Sequence, residues 1–105
     1  FLLELMLTGE MHDIQRFYQF GFINYVEEDP DSVRARALEI ARTIADNAPL
    51  TVWAAKKSVG AAMDLGCDRG FHEACHFHER VYSSQDAVEG PRAFAEKRSP
   101  RWIGA

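Results

Sequence analysis

Apolar residues recur at helical spacing along most of this chain. Between residues 30 and 46 they share one face of a helix, at Val33, Ala37, Ile40, Ala41 and Ile44. This period predicts an amphipathic helix, and Asp29-Pro30 supplies a capping residue followed by a proline at the first helical position. Similar patterns predict helices over residues 1–7 and 13–20, from residue 50 to a break near Gly66, over residues 70–82, and from residue 86 to about residue 97.

One segment departs from the helical period. Residues 22–26 (Phe-Ile-Asn-Tyr-Val) are rich in β-branched and aromatic side chains, which predicts a short strand. A single strand leaves its own backbone groups unpaired and needs a sheet from elsewhere. The expected fold class is therefore mostly α with one short strand. That strand, the apolar stripe at residues 1–7 and the absence of an initial methionine lead us to expect further sequence before Phe1.

Composition and charge narrow the class of protein. The 105 residues are 47% hydrophobic and 27% charged, which is typical of a globular domain. The formal net charge of −4 argues against a nucleic-acid partner. No apolar run approaches the roughly 20 residues that span a bilayer, so we expect no membrane partner. Two cysteines do not make a disulfide framework, which favours a reducing compartment, and we expect a cytoplasmic protein.

The most conspicuous short motif is an HExxH pattern at residues 72–76. In a zinc hydrolase, His72 and His76 would bind the metal and Glu73 would act as general base. That chemistry needs a third ligand, for which Glu89 is the only plausible later donor. The alternative is a partly solvated helix whose histidines face water or a subunit interface, and we favour it because such short motifs recur by chance. Cys75 is expected to be a buried thiol rather than a nucleophile.

Four segments, in the same order, resemble the enoyl-CoA hydratase/isomerase superfamily, the crotonases. Residues 86–100 follow the pattern Asp-x-x-Glu-Gly-x-x-Ala-Phe-x-Glu-Lys-Arg-x-Pro. Leu7-Thr8-Gly9 and residues 21–26 are similar to the family's Leu-Thr-Gly and its following Gly-Leu-Val-Asn-x-Val. Ala48-Pro49, with Lys56 seven residues after the proline, is similar to a family helix start. The resemblance covers about residue 3 to residue 104.

The resemblance implies a fold and an assembly. Residues 1–28 would be the end of the β-turn-helix core of an α/β crotonase (ClpP/crotonase-like) fold. Residues 29–105 would be its carboxyl-terminal helical region, which covers the acyl-CoA and mediates contacts between subunits. The resemblance therefore implies a homo-trimer or hexamer that binds an acyl-CoA.

It also implies an activity for the full-length protein. The expected reaction is hydration of a trans-2-enoyl-CoA to the 3-hydroxyacyl-CoA, in fatty acid metabolism, with coenzyme A as part of the substrate and no separate cofactor. Other crotonase reactions, such as enoyl-CoA isomerisation or acyl-CoA dehydration or hydrolysis, stay open. The family's oxyanion hole and catalytic glutamates are expected before Phe1, so no catalytic residue is assigned here and this segment alone should be inactive.

Phe94 and Lys97 are the candidate substrate-binding residues. The helix that carries them begins at Asp86 and Glu89, which have capping-box spacing, and from the residues alone they would be a core phenylalanine and a solvated lysine at its end. The resemblance implies instead that they sit beside the adenine and 3′-phosphate of coenzyme A. A helical interaction module without catalysis is a further alternative. It predicts a stable monomer with a complete core, which the apolar stripe at residues 1–7 argues against.

Overall fold

The computed structural model describes residues 1–105 and is built from six helices. They are α1 (Leu2–Thr8), α2 (Ile14–Gln19), α3 (Pro30–Ala45), α4 (Pro49–Leu65), α5 (Cys67–Tyr82) and α6 (Asp86–Ala95). No helix combines the length and apolar character that a bilayer crossing requires. The chain divides into two compact units, an amino-terminal unit of Phe1–Ile40 and a carboxyl-terminal unit of Ala41–Ala105.

Helix boundaries follow the glycine and proline signals in the sequence. α1 ends at Gly9, whose φ of 67° is left-handed, and α4 begins with Pro49 at its first turn. α5 begins three residues before the predicted Gly70, because Gly66 alone joins it to α4. Gly66 has φ 79° and ψ 168°, a conformation that is essentially restricted to glycine and allows so short a connection.

The predicted strand at residues 22–26 is wrong. These residues form bends and irregular chain, and no strand is present in residues 1–105. A strand exists only where a neighbouring strand accepts its backbone hydrogen bonds, and this chain offers none. The mostly helical fold class is confirmed without its strand.

Aromatic rings hold the amino-terminal unit together. Phe1 stacks on Phe20 with ring centroids 4.6 Å apart, and meets the edge of Phe17 at 5.3 Å. Phe17 in turn contacts Phe22 at 5.6 Å. The guanidinium of Arg16 lies 5.2 Å from the Phe1 ring centroid, within the range of a cation–π contact. No residue of α1 or α2 is buried, so these contacts form at the surface of the unit.

The predicted cap of α3 is confirmed. Oδ1 of Asp29 accepts hydrogen bonds from the backbone N–H groups of Asp31 (2.8 Å) and Ser32 (2.9 Å). These bonds stabilise the charged carboxylate and so lower the pKa of Asp29. The hydrogen bond from the backbone of Ser32 is the largest cause. The apolar face of α3 is not buried in this chain, since Val33 and Ile44 are each about half exposed.

Close backbone approach holds the carboxyl-terminal unit together. α4 and α5 run antiparallel, with Gly70 facing Ala62 and Trp53 meeting the edge of Phe77 at 5.5 Å. A Cβ atom at Gly70 would lie 2.5 Å from the Cα of Ala62, so only glycine fits there. Ala54 of α4 is completely buried. Small residues therefore set the distance between these two helices.

The chain after α6 folds back onto its own unit. The indole Nε1–H of Trp102 donates to the carbonyl of Asp46 at 2.8 Å. The same indole also lies against Gly90, where a Cβ atom would be only 3.3 Å from the ring. The backbone N–H of Gln85 donates to the carbonyl of Ala105 at 2.6 Å. The tail, residues 96–105, is therefore anchored both near the start of the unit, at Asp46, and at the start of α6, at Gln85.

Candidate functional site

α6 and the residues after it carry both predicted ligand residues, and this helix starts differently from the prediction. Asp86 does not cap it. Its two oxygens accept the backbone N–H groups of Ile103 (2.9 Å) and Gly104 (3.0 Å), and the side chain is buried. The cap interaction comes instead from Ser84, whose Oγ accepts the N–H of Ala87 at 3.2 Å. Asp86 binds the tail rather than the helix start because two backbone N–H groups of the tail point at its two carboxylate oxygens.

Phe94 lies on the outside of α6. Its side chain is 87% exposed, so the reading of Phe94 as a core residue is wrong. Its neighbour Ala93 fills the buried face of the helix instead, at 1% exposure. An aromatic ring left in water at a helix end is available to stack on a flat ligand.

Lys97 follows the last turn of α6 and has an unusual backbone. Its φ is 52°, and it is the single non-glycine residue of the chain with positive φ. The N–H of Lys97 donates to the carbonyl of Phe94 at 3.2 Å, and the N–H of Arg98 donates to the carbonyl of Ala93 at 3.0 Å. This pair of bonds is the Schellman motif, which closes a helix with a left-handed residue. It places the main chains of Phe94 and Lys97 side by side at the helix end.

A charge network surrounds this helix end. Arg98 holds both oxygens of Glu89, at 2.6 Å and 2.9 Å, and its Nε donates to Glu96 at 2.6 Å. The backbone N–H of Arg101 adds a further bond to Glu89 at 2.7 Å. The hydrogen bond from Arg98, followed by that from Arg101, lowers the pKa of Glu89 to about 2. Glu96 has a lowered pKa for the same reason, with Arg92 as its second partner.

An open cleft of about 700 Å³ lies beside this network. It is lined by Gln85, Asp86, Val88, Glu89, Arg92, Glu96, Arg98, Arg101 and Ile103. Phe94 and Lys97 do not line it, so the two predicted ligand residues form an exposed helix end and the cleft is a separate neighbouring surface.

The HExxH segment lies on α5 as predicted, but it does not form a catalytic metal site. Nδ1 of His72 donates to the carbonyl of Asp68 at 2.9 Å, and Nδ1 of His76 lies 3.6 Å from a carboxylate oxygen of Glu79. No three His, Cys, Asp or Glu side chains are grouped so that they could hold a metal ion. Glu89, the one plausible third ligand, is held by Arg98 instead.

The cysteines also differ from expectation. Cys67 and Cys75 are both free and exposed on α5, so the prediction of a buried thiol at Cys75 is wrong. α5 buries only Gly70, because the residue that approaches α4 closely is the glycine.

Sequence reasoning missed the roles of Asp86, Glu89 and Arg98. The spacing of Asp86 and Glu89 predicted a capping box at the start of the helix. Arg98 was predicted only as part of a basic pair in the last turn. The partners of Asp86 and Glu89 lie nine to eighteen residues away along the chain, beyond the reach of helical periodicity. Pro100 and Gly104 lie in the segment after α6. Proline and glycine are typical of irregular chain, and these two residues were the signal in the sequence that the helix does not continue.

Comparisons with known proteins agree with this structure. Carnitinyl-CoA dehydratase from Proteus mirabilis is 37% identical over 96% of this chain and 40% of its own length. The enoyl-CoA hydratase of Mycobacterium tuberculosis H37Rv is 36% identical, with a TM-score of 0.88 over 98% of this chain and 40% of that structure. The enoyl-CoA hydratase of Bacillus anthracis is 30% identical, with the same TM-score over 97% of this chain and 39% of that structure.

The chain thus spans about 40% of the length of the curated relatives that it matches. The enoyl-CoA hydratase/isomerase family model matches residues 2–105, nearly the whole chain. These residues form the same helical arrangement as the corresponding segment of the solved hydratases. The chain belongs to the enoyl-CoA hydratase/isomerase family, the crotonases.

Proposed function

We propose that the full-length protein carrying this chain adds water across the double bond of a trans-2-enoyl-CoA and releases the 3-hydroxyacyl-CoA. The observation that supports this most is the structural match to two solved enoyl-CoA hydratases over at least 97% of the chain. The dehydratase relative supports the same chemistry, because removal of water from a 3-hydroxyacyl thioester is the reverse of its addition.

The chain's own contribution is binding of the substrate. We propose that Phe94 stacks on the adenine of coenzyme A and that the Lys97 ammonium contacts the 3′-phosphate. Both side chains are exposed at one helix end, where the two main chains are joined by a hydrogen bond. Stacking of a base on an aromatic ring and a cation on a phosphate are contacts of matching chemistry. Coenzyme A enters as part of the substrate, and we propose no separate cofactor.

Catalytic residues and subunit assembly belong to the same proposal. No residue of this chain is assigned to proton transfer, so residues 1–105 alone should be inactive. A homo-trimer or hexamer is the proposed assembly. Light scattering of the full-length protein measures its mass, and a monomer at working concentration would contradict this part of the proposal.

The first test is an assay of the full-length protein with crotonyl-CoA. Loss of the ultraviolet absorbance of the enoyl thioester and appearance of 3-hydroxybutyryl-CoA by mass spectrometry are the expected results. Turnover of crotonyl-CoA by residues 1–105 alone would contradict the assignment of catalysis to other residues. Conversion of a 3-enoyl-CoA to a 2-enoyl-CoA without incorporation of water would identify an isomerase instead.

The second candidate differs only in the acyl group. Because the dehydratase relative is named for carnitinyl-CoA, that thioester is the alternative substrate. The ratio of kcat/KM for crotonyl-CoA and carnitinyl-CoA decides between the two. A higher value for carnitinyl-CoA would reassign the substrate and leave the water chemistry in place.

The binding assignment is tested separately. Lys97→Ala in the full-length protein should raise KM for the acyl-CoA about tenfold or more with little change in the melting temperature, since charge-assisted contacts to phosphate are worth roughly 1.5–3 kcal/mol. Lys57→Ala is the matched control, because Lys57 is another exposed lysine of the same unit. An unchanged KM in Lys97→Ala would refute the contact.

The two other function classes gain no support. A helical interaction module requires a complete core, whereas the only buried hydrophobic residues are Ala54 and Ala93. A zinc hydrolase requires a set of three ligands, which the side chains of this chain do not form.

A further inference from the structure

Lys97 occupies a backbone conformation that suits glycine better. At the C′ position of a Schellman motif a left-handed residue is needed, and glycine adopts it without steric cost. A lysine there brings its Cβ close to the following carbonyl oxygen. Residues in such strained conformations persist where their surroundings over-determine them, and they cluster at functional sites.

The surroundings of Lys97 do over-determine it. Its two neighbours in sequence are joined to each other, since Nε of Arg98 donates to Glu96 at 2.6 Å. Arg98 is also anchored to the helix by its two-pronged contact with Glu89. Glu89 also accepts a hydrogen bond from the backbone N–H of Arg101, which fixes the chain beyond the turn. The backbone is therefore held on both sides of the left-handed residue.

The Lys97 side chain is left free by the same arrangement. Three carboxylate–arginine contacts each involve Glu96 or Arg98, the direct sequence neighbours of Lys97, namely Arg92–Glu96, Arg98–Glu96 and Arg98–Glu89. Each of the two glutamates is thus occupied by an arginine, and the lysine is exposed without an ion pair in this chain. An ammonium group without an internal partner remains available to an external phosphate.

We propose that Arg98, held by Glu89, is a positioning residue for the coenzyme A phosphate. It fixes the left-handed backbone of Lys97 and so directs the lysine ammonium towards the 3′-phosphate, without touching the ligand itself. This inference rests on the proposed function, because it assumes the contact between Lys97 and the phosphate. It goes beyond that contact because it proposes that the Arg98–Glu89 pair sets the direction of the Lys97 side chain.

The test compares two ligands that differ only in the phosphate. Binding of coenzyme A and of 3′-dephospho-coenzyme A to the full-length protein is measured by calorimetry. The unaltered protein should prefer coenzyme A about tenfold or more, as expected for a charged contact to a phosphate. Lys97→Ala should erase this preference. Glu89→Gln and Arg98→Gln should reduce it several-fold while affinity for the dephospho ligand stays the same.

A matched control comes from the other unit. Glu27→Gln weakens one of the two arginine–glutamate contacts of Arg36, whose Nε lies 3.0 Å from Oε1 of Glu27 and which also contacts Glu39. It should leave the preference for the phosphate unchanged. If Glu89→Gln fails to fold, Arg98→Lys replaces it, since lysine keeps the charge but loses the two-pronged contact. The preference should again fall.

The outcomes separate this inference from the proposed function. If the unaltered protein shows no preference for the phosphate, or if Lys97→Ala keeps the preference, the proposed contact and this inference both fail. If Lys97→Ala loses the preference but Glu89→Gln, Arg98→Gln and Arg98→Lys keep it, the contact stands and the positioning role is overturned. Equal weakening of both ligands by these variants would show a purely structural role and would also overturn it.

A second substitution of Lys97 tests the strain directly. Lys97→Gly should raise the melting temperature by a few degrees and abolish the phosphate preference, because glycine relieves the left-handed backbone and removes the ammonium. A melting temperature that is unchanged or lowered would show that Lys97 is not held against its preference, and would overturn the proposal.

Discussion

Stacked rings stabilise the amino-terminal unit, whereas close backbone contact and hydrogen bonds to a buried carboxylate stabilise the carboxyl-terminal unit. In the first, Phe1, Phe17 and Phe20 share ring contacts and no residue of α1 or α2 is buried. In the second, Gly70 meets Ala62 at backbone distance and Asp86 is buried with two donors. Substitutions should therefore be far more costly in the second unit than in the first.

The largest expected effect is at the contact between α4 and α5. Gly70→Val should destabilise the full-length protein by about 3 kcal/mol, because its side chain would collide with the backbone of Ala62. Urea unfolding measures the change. The control is Gly60→Ala in α4, where a Cβ atom meets nothing within 4 Å and a gain of roughly 0.5–1 kcal/mol is expected. Similar behaviour of the two variants would show that the close approach of α4 and α5 does not stabilise the carboxyl-terminal unit.

The next effect is at the anchor of the tail. Asp86→Ala should cost about 2 kcal/mol, since it leaves the N–H groups of Ile103 and Gly104 without their acceptor. Asp64→Ala, at an exposed aspartate of α4, should change stability by less than about 0.5 kcal/mol. A difference of less than 0.5 kcal/mol between the two variants, in the same urea titration, would mean that the tail is not held by this carboxylate.

A smaller effect is expected in the amino-terminal unit. Phe17→Leu keeps an apolar side chain but loses ring contacts to Phe1 and Phe22, which are worth about 1 kcal/mol in total. Hydrogen exchange by mass spectrometry should show faster exchange in peptides of residues 1–22 and no change in α4 or α5. Faster exchange in α4 would show that the two units do not respond separately.

The smallest effect depends on pH. The pKa of Glu89 in the folded protein is about 2, below its ordinary value of 4.5, so its contribution to stability is present above about pH 4.5 and is lost as the pH falls towards 2. Glu89→Gln should therefore flatten the acid side of the melting-temperature profile in this window. Glu10→Gln, at an exposed glutamate, serves as control. An identical acid slope in Glu89→Gln and the unaltered protein would contradict the assigned pKa.

The sequence predicted those features that local signals determine. Gly9, Asp29-Pro30 and Pro49 mark helix ends through backbone chemistry that acts within a few residues, and the structure confirms all three. The strand at residues 22–26 failed because strand formation depends on a partner that composition cannot supply.

The candidate site was predictable only in part. Phe94 and Lys97 were found through the family resemblance, and their ligand role stays a prediction. The left-handed backbone of Lys97 could not be predicted, because propensity favours glycine there. The contacts of Glu89 with Arg98 and of Asp86 with the tail depend on how the chain turns back after α6. Such a turn is a tertiary property, without a period in the sequence.

The two exposed thiols of α5 make this helix convenient for spectroscopy. Cys67 and Cys75 are eight positions apart on one helix, which separates their Cα atoms by about 12 Å along the axis. A disulfide needs Cα atoms within roughly 7 Å, so oxidation cannot join them inside one molecule and would crosslink separate molecules. Under reducing conditions, spin labels or fluorophores on Cys67 and Cys75 would report the integrity of α5.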